Sequence, residues 1–488
     1  MPSLIVTNGS DEWTNQIQNA TVVDARAYLT DPAFNDLRAV KVFNLCRSYK
    51  YQTIGYYVSL LAEARGHKPL PSVSTVQDLR SRAIVRMISD ELETLIQKGL
   101  ESIKSEEFTL SIYFGRNMAR RYDRLALQLF NQFPSPLLRA HFVKTEGRWV
   151  LRRVTSISAS DVPPSHWPFI VSVADAHLAG RRSSVRKKQE SRFDLAILCN
   201  PQDHEPPSNE KALQKFVKAA TAEGLSAEII TRDDYGRLAE FDALFIRDTT
   251  FVNQYTYRFS RRAAGEGLVV IDDPQSILRC TNKVYLAELL ARHKVATPKS
   301  IVVHRGNADQ VGDQLGFPCV LKRPDSAFSR GVVNVSDPAE LRSHLDDFFD
   351  ESDLVLAQEF LPTTFDWRIG IIDHRPLYAC KYFMAHGHWQ VVQRERTGRV
   401  RYGKLETIPV ELAPHKAVKL ALKATDLIGD GLYGVDVKES DGKFYIIEVN
   451  DNPNIDAGCE DAILKDELYR RIMNVFVRRI EARKAMFP

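Results

Sequence analysis

The sequence predicts an α/β protein, with α+β parts in its C-terminal half, that consists of an N-terminal domain and a longer module behind a linker. Strand-like apolar runs alternate with helical patterns up to about residue 160, and the pattern starts again at residue 193. Residues 181–192, which separate the two regions, are polar and strongly basic. At 488 residues the chain is also too long for one hydrophobic core.

The composition is typical of a globular protein of the cytoplasm. The hydrophobic fraction is 44% and the charged fraction 26%, while the net charge of +4 is small for this length. There is no apolar run of about 20 residues and no signal-peptide pattern. The six cysteines are isolated, which is typical of reduced thiols. We therefore expect no nucleic-acid or membrane partner, and a homo-oligomer is compatible with the sequence.

Residues 1–180 are expected to form the N-terminal α/β domain. Its strands are predicted at 4–7, 21–24, 40–44, 108–114, 138–144 and 148–156, and its main helices at 56–65 and 78–100. The polar cluster Arg47, Tyr49, Lys50 and Gln52 lies between a strand and a helix, where ligands often bind. A hydrated turn is the alternative for this cluster, and the basic linker 181–192 is expected to be solvated.

Residues 193–280 are expected to form a small parallel sheet covered by helices. Strands are predicted at 194–199, 227–230, 243–247 and 268–271, with a helix at 210–222. The first strand is followed by Asn200-Pro-Gln-Asp instead of a glycine-rich phosphate-binding turn. An ordinary dinucleotide-binding domain is therefore not expected.

A β-hairpin is predicted near the C-terminus, over residues 432–450. Two apolar runs flank Ser440-Asp441-Gly442, which we interpret as a three-residue loop with Gly442 in the left-handed conformation. Alternation then places Glu448 and Asn450 on the same face as Phe444 and Ile446, with Asp436 one diagonal step from Glu448. Two carboxylates and an amide oxygen are ligands that suit Mg²⁺. A surface hairpin with scattered acids is the alternative.

These segments, in this order, resemble the ATP-grasp superfamily, and most closely its RimK-like carboxylate–amine ligases. The motifs that carry the resemblance are Lys283, Lys322 with the loop after it, Gln358-Glu359-Phe360, Asp366-Trp-Arg368, and Asp436 with Glu448-Val-Asn450. It covers residues from about 193 to 480, and residues 1–180 resemble the N-terminal extension of some RimK-like proteins. The implied fold is a pre-ATP-grasp domain (193–280) and an ATP-grasp domain (281–488), whose subdomains 281–361 and 362–488 clamp ATP.

The resemblance also implies a role for each motif. The implied nucleotide-binding residues are Lys283, Lys322, Ser326, Ser329, Gly331, Gln358, Glu359, Phe360, Leu361 and Lys381. The first two lysines would contact the phosphates, the loop 326–331 would close over them, and segment 358–361 would line the adenine slot. Asp436, Glu448 and Asn450 would hold Mg²⁺ or Mn²⁺. The expected catalytic cations are Arg368, Arg396 and Arg401, the last two within the basic run 394–404.

Residue chemistry supports these roles, although each has a simpler alternative. A nucleotide needs positive charges on rigid elements, and phosphoryl transfer needs charge neutralisation more than covalent chemistry. Lys322 could instead be a solubilising lysine on an edge strand, and Arg368 could simply pair with Asp366. RimK-like glutamate ligases generally carry an Arg-Ser-Asn-Leu-His-like segment, but residues 394–404 contain neither Asn nor His. The amine substrate is therefore less defined than the nucleotide.

The predicted function is that of an ATP-dependent carboxylate–amine ligase that works through an acyl phosphate. Its substrates would be a small-molecule or peptide carboxylate and the amine of an amino acid, with glutamate as one candidate. Two alternatives remain at this point. One is an ATP-grasp kinase that phosphorylates a hydroxyl group, and the other is a non-catalytic protein that closes on ATP.

Overall fold

The computed structural model divides the chain into two compact units, one formed by Met1–Asp194 with Asp233–Asp242 and the other by Leu195–Arg232 with Ala243–Pro488. It describes residues 3–9, 13–35, 37, 40–179, 191–203, 205–325, 331–394 and 400–486. Both units combine helices with strands, so the predicted α/β class is confirmed. Among the described residues, no helix is long and apolar enough to cross a membrane.

The N-terminal unit contains a parallel and an antiparallel sheet. The parallel sheet has the order β2-β1-β3-β4, with β1 Ser3–Thr7, β2 Thr21–Asp24, β3 Lys41–Asn44 and β4 Lys68–Leu70. The antiparallel sheet is β5 Glu107–Tyr113, β6 Leu137–Thr145 and β7 Arg148–Ser156. The helices are α1 Ala25–Thr30, α2 Ile54–Ala64, α3 Val73–Asp78, α4 Arg82–Glu91, α5 Glu93–Leu100, α6 Asp123–Gln132 and α7 Trp167–Ala179.

The long helix predicted at 78–100 is in fact two shorter helices that follow α3. The Ser81 hydroxyl accepts a hydrogen bond from the Ile84 N–H at 3.3 Å and so caps the start of α4. Leu92, with φ −94° and ψ 8°, leaves the helical conformation and separates α4 from α5. Apolar spacing continues across these breaks, and for this reason the periodicity alone did not reveal them.

The second unit begins with the predicted parallel sheet and continues into a four-stranded antiparallel sheet. The parallel sheet has the order β11-β10-β8-β9, with β8 Phe193–Leu198, β9 Leu225–Ile230, β10 Ala243–Ile246 and β11 Val269–Ile271. Its helices are α8 Glu210–Ala222, α9 Tyr255–Gly265 and α10 Pro274–Thr281. The antiparallel sheet has the order β12-β15-β13-β14, with β12 Ser300–Val303, β13 Cys319–Lys322, β14 Val332–Val335 and β15 Val355–Glu359, and its helices are α11 Lys283–Arg292, α12 Gln310–Leu315 and α13 Pro338–Phe349.

The last part of this unit is a five-stranded antiparallel sheet with the order β20-β17-β16-β21-β22. Its strands are β16 Phe365–Ile372, β17 Arg375–Phe383, β20 Leu405–Ile408, β21 Leu432–Ser440 and β22 Lys443–Asn450, while β18 Val392–Arg394 and β19 Val400–Tyr402 form a separate pair. The helices are α14 His415–Thr425 and α15 Asp466–Met486. One face of the sheet packs against α14 through Ile369, Val435 and Ile446. Residues that alternate with these, such as Arg368 and Asp436, occupy the opposite face.

The C-terminal hairpin is built differently from the prediction. The turn contains two residues, Asp441 and Gly442, with φ 51° and 70°, and Ser440 pairs with Lys443. A β-bulge next to Asp436 then brings Asp436 directly opposite Glu448. Because of this bulge, Phe444 and Ile446 point into the core, whereas Glu448 lies on the other face. The predicted three-residue loop and the shared face of Ile446 and Glu448 were therefore wrong.

Candidate functional site

The bulge brings the three expected metal ligands together on two neighbouring strands, β21 and β22. Asp436 and Glu448 are cross-strand partners, and Asn450 pairs with Gly434. The Asn450 side-chain amide lies 3.5 Å from Asp436 Oδ2 and 3.3 Å from the Gly434 carbonyl oxygen. The Asp436 side chain is 16% exposed and that of Glu448 is 29% exposed. The site is thus lined by hard oxygen donors and is partly open to solvent.

Arg368 is bound to the first of these acids from the adjacent strand. Its Nε and one Nη donate to the two carboxylate oxygens of Asp436 at 2.5 and 3.0 Å, a bidentate arrangement. Its guanidinium carbon lies 4.9 Å from the centre of the Tyr382 ring. Burial raises the pKa of Asp436, and the positive charge of Arg368 opposes that effect. The alternative that Arg368 pairs with Asp366 was wrong, because its ion pair is with Asp436.

Lys283 is bound to the second acid. It is the first residue of α11, is buried, and its Nζ lies 3.0 Å from Glu448 Oε1. The backbone N–H of Lys283 donates to the Pro324 carbonyl at 2.8 Å, which joins the start of α11 to the segment after β13. Burial alone would raise the pKa of Glu448, but Lys283 and Lys322 outweigh it, so that the pKa is lowered. Glu448 therefore carries a negative charge between two lysines.

Lys322 ends the inner strand β13 and is also buried. Its Nζ donates to Gln358 Oε1 at 2.8 Å, and Gln358 Nε2 donates to the Ser300 hydroxyl at 2.9 Å. Burial lowers the pKa of Lys322 to about 8, with the charge of Lys283 acting in the same direction and that of Glu448 against it. A solubilising lysine on an edge strand is excluded by this inner position.

The expected adenine-slot segment lies at the end of β15. The N–H of Glu359 donates to the Lys299 carbonyl, and its Oε1 accepts from the Lys299 N–H, both at 2.8 Å. Phe360 packs edge-on against Trp389, with ring centres 5.8 Å apart, and Leu361 follows it. A cavity of about 500 Å³ directly after this segment is lined by Pro362, Thr363, Thr364, Phe365 and Glu439. None of these five residues is among the expected nucleotide or metal ligands.

The remaining expected residues are only partly placed. Ser326, Ser329 and Arg396 lie outside the described residues. The Gly331 carbonyl accepts from the Arg323 N–H at 2.8 Å, at the base of the loop. The Lys381 Nζ lies 5.3 Å from the ring centres of Phe365 and Trp367. Arg401 is in the short strand β19, and its side chain is exposed.

Sequence reasoning missed one cation on the site face, Lys438. Its Nζ donates to the Thr363 hydroxyl at 2.6 Å and to Asp366 Oδ1 at 2.8 Å. Lys438 stands two residues after Asp436 on β21, so strand alternation could have placed it on the same face. Its charge contributes to the lowered pKa of Lys322.

The donor set fits a magnesium ion that is shared with a phosphorylated ligand. Mg²⁺ is usually bound by one or two carboxylates together with waters and substrate phosphates. Asp436 and Glu448 are two such carboxylates, and the Asn450 amide adds an oxygen. In the part of the chain that the structure describes, no group of three or more His, Cys, Asp or Glu residues could hold a metal. Phosphate oxygens would complete the coordination.

Comparisons with known proteins identify related sequences for both halves of the chain. Residues 25–172 match the model of the RimK-like ATP-grasp N-terminal domain, and residues 280–464 match that of the RimK-like ATP-grasp domain. The α-aminoadipate–LysW ligase LysX of Saccharolobus solfataricus is 30% identical over 195 residues, which are 38% of this chain and 67% of that protein. A probable α-L-glutamate ligase of Marinomonas sp. is 26% identical over 51% of this chain and 79% of its own length.

Among solved structures, the D-alanine–D-alanine ligase of Bacillus anthracis in complex with ATP is similar at 18% identity. The similar region covers 59% of this chain and 98% of that one, with a TM-score of 0.46.

Proposed function

We propose that this chain, which belongs to the RimK-like ATP-grasp family, joins the carboxylate of a small molecule or peptide to the amine of an amino acid. It is an ATP-dependent carboxylate–amine ligase, as are its relatives. The names of these relatives, an α-aminoadipate–LysW ligase and an α-L-glutamate ligase, support amino acids or peptides as substrates. Glutamate is a candidate by this likeness.

The observation that carries the proposal is the set of paired charges on one face of the last sheet. Arg368 is bound to Asp436, and Lys283 is bound to Glu448, with Lys322 close enough to lower the pKa of Glu448. Three cations beside two acids suit a magnesium-bound triphosphate, because the cations would bind phosphate oxygens and the acids would bind the metal. Bound Mg²⁺, or Mn²⁺, would neutralise phosphate charge during transfer.

The proposed reaction has two steps. A carboxylate oxygen of the acid substrate attacks the γ-phosphorus of ATP, and ADP leaves. The amine nitrogen then attacks the carbonyl carbon of the acyl phosphate, inorganic phosphate leaves, and the nitrogen loses a proton. Arg368 would steady the transferred phosphoryl group, since its guanidinium is already oriented by Asp436.

The substrates would be held by elements on either side of the charged face. Segment 358–361 would line the adenine slot, Lys381 would contribute to nucleotide binding, and the loop 326–331 would close over the phosphates. The basic run 394–404, with Arg396 and Arg401, would bind the anionic acid substrate. No side chain has to act as a covalent nucleophile in this scheme.

Mass spectrometry of reaction products tests the proposal. The full chain is incubated with ATP, Mg²⁺ and pooled amino acids and short peptides, and condensed products are sought. Glu448→Gln should lower turnover by roughly 10²-fold or more, because it removes one electrostatic stabiliser of the reacting phosphates. The exposed Glu411→Gln is the matched control and should leave turnover unchanged. Phosphorylated substrates without condensed products, or full turnover in Glu448→Gln, would contradict the proposal.

A further inference from the structure

We propose that Arg247 is a positioning residue for the metal-binding end of β22, an inference that rests on the proposed function. Arg247 follows β10 directly and is 1% exposed. Its Nε donates to the Ser208 hydroxyl at 3.0 Å, and one Nη donates to Asn452 Oδ1 at 2.5 Å. The other Nη donates to the backbone carbonyls of Pro207 and Pro453, at 2.6 and 2.8 Å. Two of these four acceptors belong to the segment that follows Asn450.

The segment 451–456, here called the post-ligand loop, starts one residue after Asn450 and three after Glu448. Residues 208, 209, 248 and 250 of the parallel-sheet region form hydrogen bonds with the post-ligand loop along its length. The Thr250 hydroxyl donates to Asp451 Oδ2 at 2.8 Å, and Asn452 Nδ2 donates to the Asp248 carbonyl at 2.7 Å. Ser208, which accepts from Arg247, donates in turn to the Ile455 carbonyl at 2.9 Å. Arg247 is thus the centre of a buried network that fixes this loop.

The post-ligand loop and Arg368 both approach Gly434 closely. Gly434 pairs with Asn450, and a Cβ atom at Gly434 would lie 2.6 Å from Pro453 Cβ and 3.1 Å from Arg368 Cδ. Pro453 and Arg368 therefore both occupy space that a side chain at position 434 would fill. A displacement of Pro453 would reach the Arg368–Asp436 pair as well as the adjacent Asn450.

The geometry of the guanidinium explains why an arginine is present. Its planar fork donates in several fixed directions at once, whereas a lysine has three donors on one atom and cannot span the four acceptors. Partners that orient metal ligands typically change metal affinity by about 10–100-fold when they are removed. Arg247→Lys should therefore weaken the magnesium site while it keeps the buried positive charge.

The test compares nucleotide affinity with and without metal in the full chain. Binding of ATP is measured by thermal shift in Mg²⁺ and in EDTA, and ADP formation is titrated with Mg²⁺. In Arg247→Lys we expect the half-saturating Mg²⁺ concentration to rise at least about tenfold, while ATP affinity in EDTA stays within about twofold. Asn452→Ala, which removes one acceptor of Arg247, should shift the Mg²⁺ dependence in the same direction.

Arg279→Lys is the matched control, because Arg279 is half-buried in the same unit and donates to the Ile428 carbonyl at 2.7 Å. It should leave the Mg²⁺ dependence unchanged. An unchanged Mg²⁺ dependence in Arg247→Lys and Asn452→Ala, or an equal change in Arg279→Lys, would overturn the positioning role. The thermal shift is read over the same Mg²⁺ series as ADP formation, and it requires nucleotide binding alone. A failure of the proposed ligation would therefore remove ADP formation and leave the thermal-shift comparison of the variants intact.

Discussion

The buried amine of Lys322 makes nucleotide binding sensitive to pH. Burial and the neighbouring Lys283 lower its pKa to about 8. The free enzyme therefore loses this positive charge as the pH rises through about 8, and phosphate affinity falls with it. We expect kcat/KM for ATP to decline above about pH 8 in the wild type.

Lys322→Arg is the variant that isolates this group, since an arginine stays charged throughout the range. Whatever its absolute rate, its kcat/KM profile should be flat between pH 7 and 9, measured by ADP release at saturating Mg²⁺. A decline of the same shape in both proteins would assign the ionisation to another group.

Asp272 offers a second prediction at the same scale, on stability. It is 1% exposed, and both carboxylate oxygens are without a hydrogen-bond partner within the described part of the chain. Burial raises its pKa well above the ordinary value, and Asp451 adds to the effect. The folded state thus holds a proton that the unfolded state releases above about pH 3.9, so that folding stability falls as pH rises.

Replacing Asp272 by Asn removes the carboxyl group, and with it the loss of folding stability at neutral pH. At pH 7 we expect Asp272→Asn to be more stable than the wild type by at least about 1 kcal/mol, with a smaller difference near pH 4. Asp461→Asn is the control of opposite sign, because Asp461 is bound to Lys215 at 2.6 Å and its pKa is lowered. Denaturant unfolding across pH measures both, and a destabilised Asp272→Asn would show that the carboxylate has a structural partner.

At the scale of elements, the loop 326–331 is the expected lid over the phosphates. Only Gly331 of this loop is described, with φ 70°, and a Cβ there would lie 2.8 Å from Arg323 Cδ. Gly331→Ala should therefore distort the base of the loop and weaken ATP binding in Mg²⁺. Cleavage by trypsin at Arg330 should slow in the wild type when ATP and Mg²⁺ are added. Equal cleavage with and without nucleotide would argue against a lid.

The strands that carry the site residues could be predicted from the sequence, but their exact pairing could not. The strands around Lys322, Arg368 and Asp436 were predicted because apolar alternation marks them. The pairing of Asp436 with Glu448 was less accessible, because an odd residue can be placed either in the turn or in a bulge, and apolar pattern alone does not distinguish the two. The structure places the odd residue in a bulge between Ile446 and Val449, since this allows both side chains to pack into the core.

Contacts between residues that are distant in the chain could not be predicted either, because local sequence patterns carry no information about them. The four acceptors of Arg247 come from residues 207–208 and 452–453, two segments about 245 residues apart, and no local pattern connects them. The same holds for Lys438 and Thr363, which meet only when β21 lies in its sheet.

At the scale of the molecule, the N-terminal unit includes the segment Asp233–Asp242 from later in the chain. Glu240 in this segment is buried and lies 2.8 Å from Lys41 Nζ and 2.9 Å from His177 Nε2. Burial alone would raise the pKa of Glu240, but its interactions with Lys41 and His177 outweigh burial and lower the pKa. A single boundary at 181–192, most of which lies outside the described residues, therefore does not separate the two units completely. Residues 233–242 come after it in the chain but belong to the N-terminal unit.

Glu240→Gln should destabilise the N-terminal unit by about 1–3 kcal/mol, because it leaves the partly buried amine of Lys41 without its anion. The double variant Lys41→Met with Glu240→Gln should recover part of that loss, as judged by denaturant unfolding of the full chain. A wild-type midpoint in Glu240→Gln would show that the network contributes little to stability.

The central claim is that ATP activates a carboxylate as an acyl phosphate for attack by an amine. The most direct measurement uses the acid substrate labelled with heavy oxygen in its carboxylate and follows the label into the released phosphate by mass spectrometry. In the ligase reaction the bridging oxygen of the acyl phosphate comes from the carboxylate, so we expect one labelled oxygen in each phosphate, with release dependent on the amine. Unlabelled phosphate, or label-free phosphorylation of a hydroxyl group, would contradict the account.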